Sequence, residues 1–375
     1  MRNQQQFFEL VRAGLFPERG ARVLAHGEPV DWAEVYQLAE DQSVVGLVAA
    51  GIETLPTSER LPQEVVLKFV GSTLQLERRN KAMNAFMAEL MERLQAADIY
   101  AILVKGQGIA QCYERPLLRA CGDVDLLLSD SDYEKAKKLL VPLATGVETE
   151  YSHFKHLGMT IDGWVVELHG TLHTRLSKRV DNVVDEVQKD VFFGGKVRSW
   201  MNGNTQVFLP GPECDVIFVF THILHHFFLE GIGLRQICDW SRLLWTYKGS
   251  LNQGLLESRL RKAGIMSEWK AFAAFAVKYL GMPIDAMPMY DENDNNKVTL
   301  QKKADRICKF VMKVGNFGQN SRRDFSGMSY AKRKFISFWG RLSDMLRHFR
   351  IFPLDSIRFF GGVLRSGLHA AVRGE

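Results

Sequence analysis

The chain has 375 residues, 46% hydrophobic and 24% charged, which is enough for two or three domains around a substantial core. Its 48 Lys and Arg against 43 Asp and Glu leave a net charge of +5, concentrated in residues 322–375, where eleven basic residues face four acidic ones. The five cysteines, Cys112, Cys121, Cys214, Cys238 and Cys308, contain no C-x-x-C pair, so neither a zinc site nor a disulfide frame is indicated and a reduced, cytoplasmic setting is expected. No apolar signal core follows Met1, and the longest apolar run, around Val44–Ile52, is far too short to span a bilayer.

Apolar residues at three- and four-residue intervals predict helices over Gln4–Leu15, Trp32–Leu55 and Pro62–Ala97. Within the last, Met83, Phe86, Met87, Leu90 and Leu94 form a stripe that reads as core. Ala101–Val104 then reads as a short buried strand, Lys105-Gly106 as a turn with close backbone approach, and Gln107–Tyr113 as a helical stretch. After Arg115-Pro116 comes an apolar strand that starts at Cys121-Gly122-Asp123-Val124-Asp125 and runs to Leu128. Further on, Asp162-Gly163 separates two β-favouring runs, His153–Ile161 and Trp164–His169, a two-residue hairpin signal. In that register Gly158 lies opposite Glu167 and His156 opposite His169, so His156, Glu167 and His169 share a face.

Pro210, Gly211 and Pro212 end this module, and Glu213–Tyr247 opens a second helical region interrupted at Gly231–Arg235, followed by Leu251–Leu280. Tyr290–Asn296 is polar enough to read as an exposed linker. From Lys332 to Arg350, Phe335, Phe338, Trp339, Leu342, Leu346 and Phe349 recur at helical spacing among basic residues. This basic amphipathic helix suits packing on the body of the protein, weak contact with a polyanion such as RNA, or contact with a membrane surface. The pattern is α+β: an N-terminal helical region (1–98), a strand-bearing core (99–209), a C-terminal helical domain (210–320) and a basic amphipathic segment (321–375).

The chemistry concentrates on Asp123 and Asp125. Strands alternate faces, so two carboxylates two residues apart point the same way. Half buried, they repel each other and lose hydration unless a cation sits between them or one is protonated. A divalent metal is the economical explanation, and Mg²⁺ in particular takes one or two carboxylates together with waters and substrate phosphates. The strand, glycine turn and helix start around Lys105-Gly106 supply a phosphate cradle beside it. His222, His225 and His226 invite a metal reading too, but the segment lacks the internal Glu of an H-E-x-x-H site. They are expected to be neutral histidines packed between helices.

These stretches, Leu103-Val104-Lys105-Gly106, Arg119 with Gly122–Leu127, Val166-Glu167-Leu168-His169 and Gly231–Arg235 with Asp239, resemble the nucleotidyltransferases of the DNA polymerase beta-like superfamily. Within it the chain is similar to a bacterial, largely uncharacterised nucleotidyltransferase family. The resemblance implies a small mixed sheet with helices, flanked by N- and C-terminal helical regions, and transfer of a nucleoside monophosphate from an NTP to a hydroxyl acceptor. It implies Mg²⁺ (or Mn²⁺) on Asp123, Asp125 and a third carboxylate, for which Glu167 is the candidate as ligand or base. The superfamily usually carries Gly-Ser where this chain has Lys105-Gly106, so Lys105 and Arg119 are expected to take over the grip on the triphosphate, with Gly106 beside them. His169 and Arg235 are expected to contact nucleotide, the competing role for Arg235 being a helix pair with Asp239. The acceptor is open among a small molecule, a protein and RNA. A non-catalytic nucleotide-binding regulator and a toxin-antitoxin-type adenylyltransferase acting on protein or tRNA are the alternatives.

Overall fold

The computed structural model describes residues 2–23, 29–59, 61–150, 155–229, 231–291, 293, 295–316, 346 and 348–359. Among the described residues four α-helices precede the first strand: α1 (Arg2–Leu15), α2 (Trp32–Asp41), α3 (Val45–Glu53) and α4 (Gln63–Ala96). Seven strands follow among the described residues: β1 (Ala101–Val104), β2 (Asp123–Leu128), β3 (Gly146–Val147), β4 (His156–Ile161), β5 (Trp164–His169), β6 (Val197–Asn202) and β7 (Thr205–Pro210). Among them run α5 (Gly106–Ala110), α6 (Asp130–Leu140) and α7 (Lys178–Phe193), and after them α8 (Pro212–Leu229), α9 (Leu234–Tyr247), α10 (Gln253–Ala263), α11 (Met266–Leu280) and α12 (Lys297–Val314). Residues 353–359 add a further helical turn or two.

The strands form one mixed sheet in the order β3-β4-β5-β2-β1-β7-β6. β2 is antiparallel to β1 and parallel to β5, β1 is parallel to β7, and β3–β4, β4–β5 and β6–β7 are antiparallel. Period-two alternation then sorts the side chains. Val124, Leu126, Leu128, Leu157, Met159, Val166 and Leu168 face a buried cluster completed by Met83, Met87, Leu90 and Leu94 of α4 and by Tyr133, Ala136 and Leu140 of α6. Each such aliphatic side chain removed from water contributes roughly 1.5–3 kcal/mol, so this face fixes which way the alternate residues look. Asp123, Asp125, Glu167 and His169 belong to the opposite face.

On that opposite side Ile102, Val104 and Leu127 join a second core built from helices at both ends of the chain. Its centre is aromatic, with the Phe220 ring 5.3 Å from Trp240 and 4.8 Å from Trp269. α1 and α3 approach so closely that a Cβ on Gly14 would lie 2.0 Å from the Leu47 carbonyl oxygen and one on Gly51 2.0 Å from that of Leu10. Capping marks the helix starts that frame the sheet: Ser129 accepts from the Asp132 N–H at the head of α6, and Ser177 from the Val180 N–H at the head of α7.

Several expectations change in detail. Trp32–Leu55 is two helices, because Ser43 takes a positive φ of 55° while the fully buried Gln42 side chain donates to the Val311 carbonyl and accepts from the Leu234 N–H. Leu251–Leu280 also divides, at Gly264 in the left-handed region. The hairpin β6–β7, closed around Gly203 with φ 63°, has no counterpart in the sequence reading and extends the sheet on its far edge. Most of Lys332–Arg350, Trp339 included, lies outside the described residues. Among the described residues no helix is long and apolar enough to cross a membrane.

Candidate active site

The β4–β5 hairpin has the register read from Asp162-Gly163: Ile161 opposes Trp164, Gly158 opposes Glu167 and His156 opposes His169. On the other edge of β5 the parallel ladder sets Glu167 beside Asp125 and Val165 beside Asp123. Three carboxylates on two neighbouring strands therefore open on one face. They line a cleft of about 960 Å³, together with Lys105, Gly106, Arg119, His156, His169 and Arg235.

Charge in the cleft is tightly coupled. Asp125, 2% exposed, is met by the Lys105 amine at 2.8 Å and by His169 Nε2 at 2.9 Å. Glu167 Oε2 lies 3.2 Å from His156 Nε2 and 3.4 Å from His169 Nε2. The negative charge of Asp125, followed by burial, pushes the Asp123 carboxyl above its ordinary range. Burial works against the charged forms of Lys105 and His169, but the surrounding carboxylates override it and both are raised. Burial likewise opposes ionisation of Glu167, and its two histidines outweigh that and hold it low.

Lys105 reaches this position from a strained backbone, φ 58° and ψ −144°, directly after β1. Gly106 continues the turn at φ 43°, where an added Cβ would stand 3.2 Å from Cys121 Sγ. The helix that follows, α5, has only five residues, so the phosphate cradle reduces to the Lys105-Gly106 turn itself.

Arg119 is buried and its fork is turned onto Asp239, Nε to Oδ1 at 3.1 Å and Nη2 to Oδ2 at 2.6 Å, where Tyr113 also donates at 2.7 Å. Beside the helix pair that the sequence offers within α9, Arg235 with Asp239, the structure gives Asp239 the Arg119 fork, and Arg235 donates to the Ala120 carbonyl at 2.9 Å. Burial and the neighbouring Arg119 charge lower the Arg235 guanidinium. Asn80 of α4, fully buried, ties the preceding loop down by donating to the carbonyls of Leu117 and Arg119.

The opposite wall comes from α8 and the 171–175 loop. His222, His225 and His226 are packed locally as expected, His226 Nε2 lying 3.0 Å from His222 Nε2 and His225 Nδ1 2.6 Å from the Thr174 carbonyl oxygen, yet all three also line the cleft. Burial and then the Lys105 charge hold His222 well below the usual histidine range, so it faces the cleft as a neutral imidazole. His173 and Arg175, which the sequence reading passed over, line the same wall. No spacing within the sequence links them to β2; only the fold does.

The sheet of this mixed α+β chain thus presents three clustered carboxylates and a lysine to one cleft. The profile of a family described as uncharacterised nucleotidyltransferases matches residues 28–281, and the chain belongs to that family. No curated protein and no solved structure matches it.

Proposed function

We propose that the protein is a metal-dependent nucleotidyltransferase with a polymerase beta-like core. It would move a nucleoside monophosphate from an NTP to the hydroxyl of an acceptor, either a small molecule, a protein or an RNA. The observation that carries this reading is the alignment of Asp123, Asp125 and Glu167 on adjacent strands, opposite Lys105, in a chain of this family. The donor set suits a divalent cation: the repulsion that raises Asp123 is what a dication between the two aspartates relieves. One ion, Mg²⁺ or Mn²⁺, held by Asp123 and Asp125 would neutralise phosphate charge, and a second, at Glu167, would acidify the attacking hydroxyl.

In the transfer the acceptor oxygen bonds to the α-phosphorus as the bond from that phosphorus to the α,β-bridging oxygen breaks, pyrophosphate leaves, and the hydroxyl proton passes to water, directly or by way of Glu167. Lys105 supplies a point charge at the phosphates, and Gly106 lets the backbone approach them. Arg119, its fork on Asp239, lines the cleft as one half of an ion pair and would meet the phosphates through its remaining N–H groups, and Arg235 and His169 complete the nucleotide side. Glu167, met by His156 and His169, serves as ligand or base.

Incubation with each of the four ribonucleoside triphosphates and Mg²⁺ or Mn²⁺ is expected to release pyrophosphate, slowly to water and faster with the right acceptor. D123N combined with D125N should abolish it. Tight nucleotide binding without pyrophosphate from any of the four would instead make the protein a nucleotide-binding regulator.

A further inference from the structure

Two imidazoles converge on one carboxylate oxygen at the mouth of the cleft. His156 Nε2 lies 3.2 Å and His169 Nε2 3.4 Å from the same Glu167 Oε2, and the three donor atoms all fall within 4.8 Å of one another. Around a single ion with metal–ligand bonds of roughly 2.0–2.2 Å, adjacent donors stand about 2.8–3.6 Å apart, as the tetrahedral and octahedral angles dictate. The two separations from Glu167 Oε2 lie inside that interval, and closing the histidine pair, whose ring centroids are 4.8 Å apart, onto the same ion takes a small turn of the partly exposed His156 ring.

The arrangement is set by covalent order. His156 and His169 are cross-strand partners and Glu167 is two residues from His169 on the same face, so the hairpin turn alone brings the three together. The side chains of His156 and Glu167 are each 28% exposed, leaving open positions for water or a phosphate oxygen on the cleft side. Asp125 Oδ1, 2.9 Å from His169 Nε2, stands next to the trio as a further oxygen.

We propose that His156, Glu167 and His169 form a site for a divalent transition-metal ion. Mg²⁺ is a hard, oxygen-seeking cation that gives up its waters reluctantly, whereas two imidazoles and one carboxylate suit Mn²⁺, Fe²⁺, Co²⁺ or Zn²⁺. This deepens the transfer reading and rests on it for its purpose: of the cations in the cleft, the one at Glu167 is nitrogen-ligated and chemically distinct from the one at Asp123.

The test needs neither nucleotide nor turnover, so its failure is separable from failure of the transferase reading, which pyrophosphate release decides. The full chain, stripped with EDTA, is titrated with CoCl₂ in a large excess of MgCl₂ while the visible d–d bands are followed, and ZnCl₂ is then added as competitor. The expected result is one Co²⁺ per chain, bound despite Mg²⁺ and displaced by Zn²⁺. H156Q and H169Q should each weaken it at least about 10-fold, since even indirect partners of metal ligands cost that much. D123N should bind Co²⁺ nearly as wild type does. The five cysteines are buried, and ligation by any of them would announce itself as an intense near-ultraviolet sulfur band and count against the proposal. Because His156 is partly exposed on a hairpin, H156Q is the decisive variant, with its melting curve as the fold control. Wild-type Co²⁺ affinity in folded H156Q, or displacement of Co²⁺ by Mg²⁺, would overturn the assignment.

Discussion

Asp123→Asn and Asp125→Asn remove the same charge from the same face of β2, and they should move stability in opposite directions. Asp125 is 2% exposed and anchors the Lys105 amine at 2.8 Å and His169 at 2.9 Å. Removing one partner of a buried ion pair costs about 3–5 kcal/mol, and since Asp123 and Glu167 still act on Lys105 the lower end applies, roughly 3 kcal/mol. Asp123 feels chiefly the repulsion of Asp125, and its neutralisation should gain ~0.5–2 kcal/mol, the usual size of a single stabilising change. An unfolding entropy of about 2.1 cal/mol/K per residue over 375 residues is about 0.8 kcal/mol/K. D125N should therefore melt about 4 °C lower and D123N about 1–2 °C higher than wild type, in EDTA and low salt. A folded-state carboxyl raised above the unfolded value loses stability as pH rises through that interval, so the D123N gain is largest at neutral pH. It should vanish as pH falls toward the ordinary aspartate range. If D123N melts as far below wild type as D125N does, the charge balance argued for the cleft is wrong.

D239A strands the buried Arg119 fork beside Arg235, and thermal melts should show a loss of about 3–5 kcal/mol, whereas Tyr113→Phe removes one hydrogen bond and costs about 1 kcal/mol. G51A places a Cβ 2.0 Å from the Leu10 carbonyl oxygen and should lower the urea midpoint through overpacking of about 1–3 kcal/mol; an unchanged midpoint would mean that α1 and α3 are not in this contact in solution. Glu268 is fully buried with the Asp355 carboxylate near it, and burial first, then Asp355, raise its pKa well above the ordinary range. Wild-type stability should decline as pH rises through that raised value, and E268Q should flatten the decline when melts are taken across neutral pH.

The carboxylate face was legible in the sequence because it depends on local rules. Two-residue alternation aligned Asp123 with Asp125, and the Asp162-Gly163 turn alone set Glu167 and the two histidines in register. What was not legible joins residues distant in sequence. Lys105 pairs across 20 positions with Asp125, Arg119 across 120 with Asp239, and no local pattern distinguishes these from surface charges. The break inside Trp32–Leu55 carries no glycine or proline; a buried glutamine that takes partners from α9 and α12 makes it. The β6–β7 hairpin escaped because β6 is only half buried and its apolar alternation is correspondingly weak.

The core shared by both ends of the chain has a consequence for how the protein is made. Phe8 of α1 packs 5.2 Å from Tyr279 of α11, Arg12 donates to the carbonyls of Lys278 and Tyr279, and Gln42 closes on α9 and α12. A ribosome adding roughly 5–20 residues per second needs about 15–60 s to travel from the first of these partners to the last. Throughout that interval α1 and α3 have only each other and their immediate neighbours to close on, while the sheet they flank is already emerging. Contacts so far apart in sequence also slow refolding of the finished chain. The nascent N-terminal helices are therefore where a chaperone would be needed, and late truncations of α11 or α12 should release the first 50 or so residues to proteolysis before they disturb the strands.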